Sequence, residues 1–535
     1  MKIDRTFIVG GFAAALGLLL VVLVASGRGV AVGLPLDDAW IHAAFAKNLA
    51  LDRTWGLLAG EHSGGESSLL WPLLLAGGEL GGAGLAPLVA LALGAVSFLA
   101  LPGFVGLLAS TPARGMVVAA AIGLCGPLLF AALSGMETMP ALTCGAAALV
   151  FLRRGDLGRA AVGAGIAALL RPDALLLVPV LAAGAVTGAA DPGKRPLPWR
   201  LRQWSRLWPL AAFALVVVTA LSLLEQHFPP STLAGRRWIV GLAREIRLTE
   251  APAGLVAMGR QWADALLADL GAGHAAGGGP LAQAWRAVWA AAAVLAVGVA
   301  LVATCRRSAA RTHTALRHLV AWTLLTLLFY AVVLPDRGHA GRYQPQVYVC
   351  FVVLAVEGVF AAASRGRRTA LVGLLAAAAI GAGLATSAVR TPGLWAVAVD
   401  HINRLHVAAA GQIRERTAPD DLVAVFDVGA IAYARPRRLL DISGLTGGEA
   451  LDALCNRELP ALLARRRADH VLLPLWGEPE GPGSLRDRLG LLSPDGLTIV
   501  PVYTWSYDGG GWWEQFRFSG NAFGHLRLYA LTAPR

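Results

Sequence analysis

Long apolar runs separated by short polar and basic clusters organise the first three quarters of the chain. The first run, Phe7 to Ala25, follows Lys2 and Arg5. Its length of about 19 residues suits a transmembrane helix. No small-residue cleavage site follows, so it reads as an uncleaved first span with a cytoplasmic N-terminus. A polar stretch, 27–68, then leads into an apolar region that reaches Ala109. Further runs at 115–133, 139–152, 158–170, 174–188, 207–224, 285–304, 318–334, 344–363 and 369–388 bring the expectation to about 11 crossings.

Beyond Arg390 the pattern changes. A helix is expected from Leu394 to Arg416, then strands at Leu422–Phe426, Arg438–Asp441 and His470–Leu475, with a helix around Leu459–Arg467 before the last of these. Helices alternating with short apolar strands predict a small α/β domain. The expected architecture is therefore an α-helical polytopic membrane protein, residues 1–389, with a C-terminal extracytoplasmic α/β domain, residues 390–535. The Gly271–Gly279 stretch reads as a flexible loop.

Composition agrees with the pattern. Of 535 residues, 56% are hydrophobic and only 15% are charged, where a soluble domain carries roughly 25%. That excludes a soluble fold, a disordered chain and a disulfide scaffold. Five cysteines, Cys125, Cys144, Cys305, Cys350 and Cys455, include no C-x-x-C and read as small buried hydrophobes.

The net charge of +12 decides the topology. From Arg390 to Arg535 there are 16 basic and 16 acidic residues, so the excess lies in the apolar part. It sits at Arg153-Arg154, Lys194 to Arg206, Arg306 to Arg317 and Arg365 to Arg368. Basic clusters between spans mark cytoplasmic loops and argue against a nucleic-acid partner. They all fall inside only if Leu69–Leu80 does not cross separately from Leu85–Ala109, which makes the former juxtamembrane or re-entrant. The large outer segments are then 27–68, 225–284 and the C-terminal domain.

The outer segments hold the candidate chemistry. Asp37 and Asp38 adjoin in Leu36-Asp37-Asp38-Ala39-Trp40-Ile41-His42, in a loop also carrying Lys47, Asn48, Trp55, Glu61, His62, Glu66 and Trp71. Adjacent carboxylates bind a cation, or one serves as a general base while the other holds it, or they are simply a solvated loop. Glu137 lies in a turn between spans, where an acid is a functional suspect or a helix cap. Arg171 reads more readily as the partner of Asp173 at a helix start. Arg342 is balanced between snorkelling and function. His62 and His339 lack metal-ligand spacing. Trp505, Trp512 and Trp513 suit sugar stacking, core packing or an interface equally.

The string Asp37 to His42, with Ala46-Lys47-Asn48-Leu49, Gly60-Glu61 and Ser67-Ser68-Leu69-Leu70-Trp71, resembles the first extracytoplasmic loop of the C-superfamily (GT-C) membrane glycosyltransferases. The bacterial arabinofuranosyl- and mannosyltransferase-like group is the nearest in character. The likeness continues in Leu133 to Thr138, Leu170 to Asp173, Pro230-Ser231-Thr232, Gly341-Arg342-Tyr343 with Pro345, and Asp427 to Ile431 followed by Leu440-Asp441. No motif is long; their order along nearly the whole chain carries the specificity. Departures at Ala44-Phe45, and at Ser231, Leu233 and Ala234, bear on the sugar and lipid more than on the reaction class.

The resemblance implies a GT-C-like fold in a bacterial inner membrane and transfer of a sugar from a polyprenyl-phosphate donor to an envelope glycan, lipid or protein acceptor. It implies a first-loop aspartate as general base and favours Asp37, with Asp38 in support. Arg171, Arg236, His339 and Arg342 are the expected donors to phosphate, and His42, Lys47, Glu61, Glu137 and Tyr343 further substrate contacts. No metal ligands are assigned and no cofactor is required by the motifs, although a divalent cation remains compatible with the acids. The alternatives are a lipid-linked glycan transporter, which predicts charged or broken segments at mid-membrane, and a non-catalytic envelope-assembly protein.

Overall fold

The computed structural model describes residues 4–187, 208–225, 230–242, 245–272, 280–306, 311–475, 484–491, 498–507 and 524–532. The Lys194–Arg206 cluster, most of the Gly-rich loop, Trp512 and Trp513 lie outside the described residues.

The chain is an integral membrane protein, mostly helical. Six described helices are long and apolar enough to cross a bilayer: Arg5–Gly27, Ala86–Gly106, Pro280–Val302, Thr314–Val333, Gln346–Ala363 and the stretch beginning at Arg367. The pair Pro112–Gly123 and Gly126–Ala132, bent by 62°, forms a further span if taken as one. Pro127 in the first turn of the second helix marks the break, because its ring and missing N–H prevent the first helix from continuing through it. Shorter apolar helices cover Thr138–Arg153, Leu157–Leu170, Pro172–Ala185 and Ala211–Ala220. Leu69–Leu80 becomes the 11-residue helix Trp71–Gly81, about 16 Å long at 1.5 Å per residue and too short to span about 30 Å of hydrocarbon.

Small residues let these helices approach backbone to backbone, as membrane packing requires. At Gly358, in Gln346–Ala363, an added Cβ would lie 1.8 Å from the Ala296 carbonyl oxygen of the neighbouring helix. Phe12, Val294 and Leu374 point outward and remain exposed, as lipid-facing side chains do.

The helix expected to start at Leu394 is the end of a longer one. Arg367–Ile402 runs 36 residues without interruption and continues through a π-helical turn, Asn403–Val407, into Ala408–Arg416. Between Thr369 and Val399 the only charged residue is Arg390, and Pro392 removes a single backbone donor. Nothing in that stretch stops the helix where the domain boundary was placed.

Among the described residues, Leu422–Val425 (β1), Arg438–Asp441 (β2), His470–Leu475 (β3), Thr498–Ser506 (β4) and His525–Thr532 (β5) form the C-terminal sheet, in the order β2-β1-β3-β5-β4. β1, β2 and β3 are parallel. β5 runs antiparallel to β3, and β4 antiparallel to β5. The helix Leu459–Arg466 packs Leu459, Leu462 and Leu463 against Val471, Leu473 and Tyr529. The first three strands stand within one residue of their expected positions. β4 and β5 were not anticipated: β4 is interrupted by an irregularity between Pro501 and Tyr503, and β5 carries His525 and Arg527.

Gly358→Leu should prevent correct packing, with a loss of about 1–3 kcal/mol or more, because the obstacle is backbone. Gly381, with nothing within 4 Å of an added Cβ, is the control. In detergent, Gly381→Leu should give a wild-type melting curve and a single chromatographic peak, and Gly358→Leu should lose both.

Candidate active site

The two acids open the helix Asp37–Asp52, where the sequence suggested an extended loop. Carboxylates in a first helical turn complement the exposed N–H groups there. Successive helical residues diverge by about 100°, so the two side chains enter different environments.

Asp37 faces the C-terminal domain. Its oxygens accept the backbone N–H groups of Gly429 at 2.7 Å and Ala430 at 2.8 Å, capping the short helix Gly429–Ala434 that follows β1. A Cβ on Gly429 would lie 2.2 Å from the Asp37 carbonyl oxygen, so this approach requires glycine. Lys47 donates to the Tyr433 carbonyl at 2.8 Å, and Arg435 reaches back to Asn48 and Asp52. Burial first, and then the neighbouring Asp427, push the Asp37 carboxyl up to about 8.

Asp38 faces a cavity of about 430 Å³ and lines it. Its Oδ2 accepts from Arg236 at 2.5 Å and from Arg342. Arg236 stands on the helix Ser231–Ile239. That helix is anchored by the adjacent, fully buried Arg237, which donates to the carbonyls of Val333 and Glu245 and to Glu250. Arg342 follows the short turn His339–Gly341 and is 4% exposed. Its Nη2 serves Asp38 and Tyr343, while Nε and Nη1 have no hydrogen-bond partner among the described residues. Burial alone would raise the Asp38 carboxyl; the Arg236 and Arg342 guanidinium groups overcome it and hold the acid well below the usual carboxylate range.

A second ionic group forms another part of the wall. His42, one helical turn beyond Asp38, has Nδ1 2.6 Å from Glu66 and Nε2 3.1 Å from Glu137. Burial opposes the imidazolium, but Glu66 and Glu137 outweigh it and lift His42 to about 10. Glu137 is held down at about 2, because His42 and Arg171 offset its burial. Arg171 grips Asp173 through Nε at 3.1 Å and Nη2 at 3.2 Å, and also contacts Glu137, Thr138 and Tyr330. The Arg171–Asp173 pairing is the one read from the sequence; its extension to Glu137 and Tyr330 makes it part of the wall. Apolar side chains, among them Leu175, Leu176, Leu233, Phe329, Val333 and Leu334, complete the cavity.

Of the residues singled out in the sequence, Asp38, His42, Glu137, Arg171, Arg236, Arg342 and Tyr343 meet at this cavity. Asp37 lies behind the wall, Lys47 joins the domains, and Glu61 is exposed away from the cavity. His339 stays off the wall; burial, with Arg342 and Arg236, lowers it to about 4 and keeps it neutral. Tyr330 was missed, being a lone tyrosine at the end of an apolar run. It stacks on Tyr343 with ring centroids 5.6 Å apart. His406 was missed as well. Its Nε2 lies 2.7 Å from Asp427, and with Asp37 these residues place one ligand atom each within 4.8 Å of one another. That set is chemically able to hold a divalent cation. Here Asp37 is committed to two amides and His406 to Asp427, so each of the three already has a partner.

No curated protein matches the chain. Residues 398–512 match a family described as Domain of unknown function (DUF8728). The fold is similar to that of ArnT from Cupriavidus metallidurans. The apo crystal structure aligns with a TM-score of 0.53 and 13% identity over 96% of this chain and 97% of that one. The structure bound to undecaprenyl phosphate aligns at 0.50 and 14% over the same shares. The Archaeoglobus fulgidus oligosaccharyltransferase, in complex with Zn and sulfate, aligns at 0.49 and 12% over 86% of this chain and 68% of that one. The chain thus has the ArnT-like fold, a helical membrane body with a C-terminal α/β domain, which is the architecture the GT-C resemblance implied.

The raised Asp37 value has a testable sign. Between the ordinary carboxylate range, near 3.9, and about 8, the folded protein holds a proton that the unfolded chain has released. Stability therefore falls as pH rises through that window, by at most about 1.4 kcal/mol per pH unit. Asp37→Asn cannot titrate, so the wild-type melting temperature minus that of the variant should fall steadily from pH 5 to pH 8. A constant difference across that range would remove Asp37 as the titrating group.

Proposed function

We propose that the protein is an integral-membrane glycosyltransferase that moves a sugar from a polyprenyl-phosphate donor to a cell-envelope glycan, lipid or protein acceptor at the outer face of the membrane. One observation carries the reading: a single cavity joins an accessible carboxylate, two guanidinium groups on that carboxylate, and an apolar wall. Transfer from a lipid phosphate needs all three. The apolar wall takes the start of the lipid chain. Arg236 and Arg342 hold the phosphate, for which the planar guanidinium fork is suited. The His42, Glu137 and Arg171 group faces the sugar with fixed donors and acceptors. ArnT, whose fold this chain shares, has been crystallised with undecaprenyl phosphate.

We assign Asp38 as the general base. A base must come within about 3 Å of the proton it removes, and of the two acids Asp38 is the one on the cavity wall. Asp37 then acts as the anchor that fixes the start of the helix against Gly429 and Ala430. This reverses the preference drawn from the motif, and a direct comparison decides it. With purified protein and a panel of polyprenyl-phosphate sugars, Asp38→Asn should lower turnover about a hundredfold or more, the usual scale for loss of a general base. Asp37→Asn should keep measurable turnover. Near-normal turnover in Asp38→Asn with a dead Asp37→Asn would return the role to Asp37. Normal turnover in both would move the chemistry away from the first loop.

For the phosphate site, Arg342→Ala should weaken donor binding, and Arg342→Lys should restore it only in part, because an ammonium keeps the charge but loses the fork. Unchanged donor affinity in the alanine variant, measured by equilibrium binding, would reduce Arg342 to a structural anchor.

A further inference from the structure

We propose that Arg236 and Arg342 are handed from Asp38 to the lipid phosphate during the reaction, so that the departing phosphate itself makes Asp38 basic enough to take the acceptor proton. The inference rests on the glycosyltransferase reading and concerns how its base works. Three facts motivate it. Both guanidinium groups converge on one oxygen, Asp38 Oδ2. A carboxylate held this way is a poor proton acceptor, which conflicts with its place on the cavity wall. Arg342 keeps two further N–H-bearing nitrogens without a partner among the described residues, so it can meet a second anion while leaving the first.

The charges close without a cofactor. Before transfer, two guanidinium cations face the Asp38 carboxylate and a sugar phosphodiester with one negative charge, and the group is neutral. The acceptor hydroxyl oxygen attacks the anomeric carbon. The bond from that carbon to the phosphate oxygen breaks, and its electron pair stays on phosphate. The hydroxyl proton passes to Asp38. Afterwards the two cations face a neutral carboxylic acid and a phosphate monoester with two negative charges, and the group is neutral again. Negative charge has moved from Asp38 to phosphate, and the arginines have only to follow it. Cationic donors already beside the place where negative charge develops stabilise it most in a site sheltered from water.

Other ionisable neighbours are few. His339, on the turn before Arg342, is kept neutral by burial and by the two arginines, Asp336 acts on Arg236 and His339 without taking part in the step, and the Tyr343 hydroxyl accepts from Arg342. The His42 group pairs internally.

The handover predicts that Asp38 competes with lipid phosphate for the arginines. Undecaprenyl phosphate binding to purified full-length protein in detergent, measured at pH 8.5, is the test. Asp38→Asn removes the competing anion and should bind about tenfold or more tightly than wild type, and Asp38→Glu, which keeps the anion, should stay close to wild type. If wild type binds and a folded Asp38→Asn binds equally or more weakly, Asp38 is an organiser of the arginines and the handover is wrong, while the glycosyltransferase reading stands. If none of the proteins binds the lipid, that reading falls and takes the inference with it. A second measurement does not depend on the variant folding. Titration calorimetry of wild type in two buffers of different ionisation heat should show net proton uptake on binding, and binding without proton uptake would overturn the handover.

Discussion

Two carboxylates that are adjacent on a helix cannot share an environment, and the rest of this molecule is arranged around that constraint. The helix Asp37–Asp52 has an acid facing the C-terminal domain and, about 100° round its axis, an acid facing the cavity. The first is satisfied by backbone amides at the start of Gly429–Ala434; the second by arginines from two segments far apart in sequence. The direction of Asp38 is therefore fixed from behind. Rotating the helix to improve one set of contacts would break the other.

The same constraint explains why the C-terminal domain belongs to the site without lining much of it. Leu445 is its contribution to the cavity wall. Its larger effect comes through Gly429, Lys47 with Tyr433, and Arg435 with Asn48 and Asp52. These contacts tie the sheet to the first-loop helix across nearly 400 residues of sequence. Ser231, at the start of the helix that carries Arg236, also donates to the Leu445 carbonyl at 2.8 Å, so the domain touches supports of both the acid and one of its arginines.

Much of this was legible in the sequence because hydrophobic periodicity and charge placement act over short stretches. The apolar runs, the short Leu69–Leu80 segment and the three parallel strands needed only local information. Seven of the eleven proposed site residues reached the cavity because polar residues at the ends of apolar runs gather where those runs meet. What could not be read was direction. Nothing in Asp37-Asp38 tells which acid points inward until a helix begins there and the partner Gly429 is known. Tyr330 and His406 were invisible for a related reason: neither belongs to a motif, and only the packing of distant elements gives each its partner. The composition changes near residue 390, but the helix Arg367–Ile402 runs straight through that point.

The transporter alternative expects broken helices with polar or charged groups at mid-membrane, and a broken helix is present in Pro112–Ala132. Its chemistry argues against that use. The residues at the break are Leu124 and Cys125, and around Gly126 an added Cβ meets the Ser387 and Thr391 hydroxyls. No charged residue lies between Met116 and Ala132. Arg114, at the start of the pair, meets Glu357 at 2.6 Å, and Glu357 also accepts from the loop residue Ser110. Among the described residues, Arg171, Arg236 and Arg342 line one cavity instead. A carrier must offer its ligand comparable surroundings from both sides in turn, whereas two arginines converging on one acid in one cavity favour chemistry at one place.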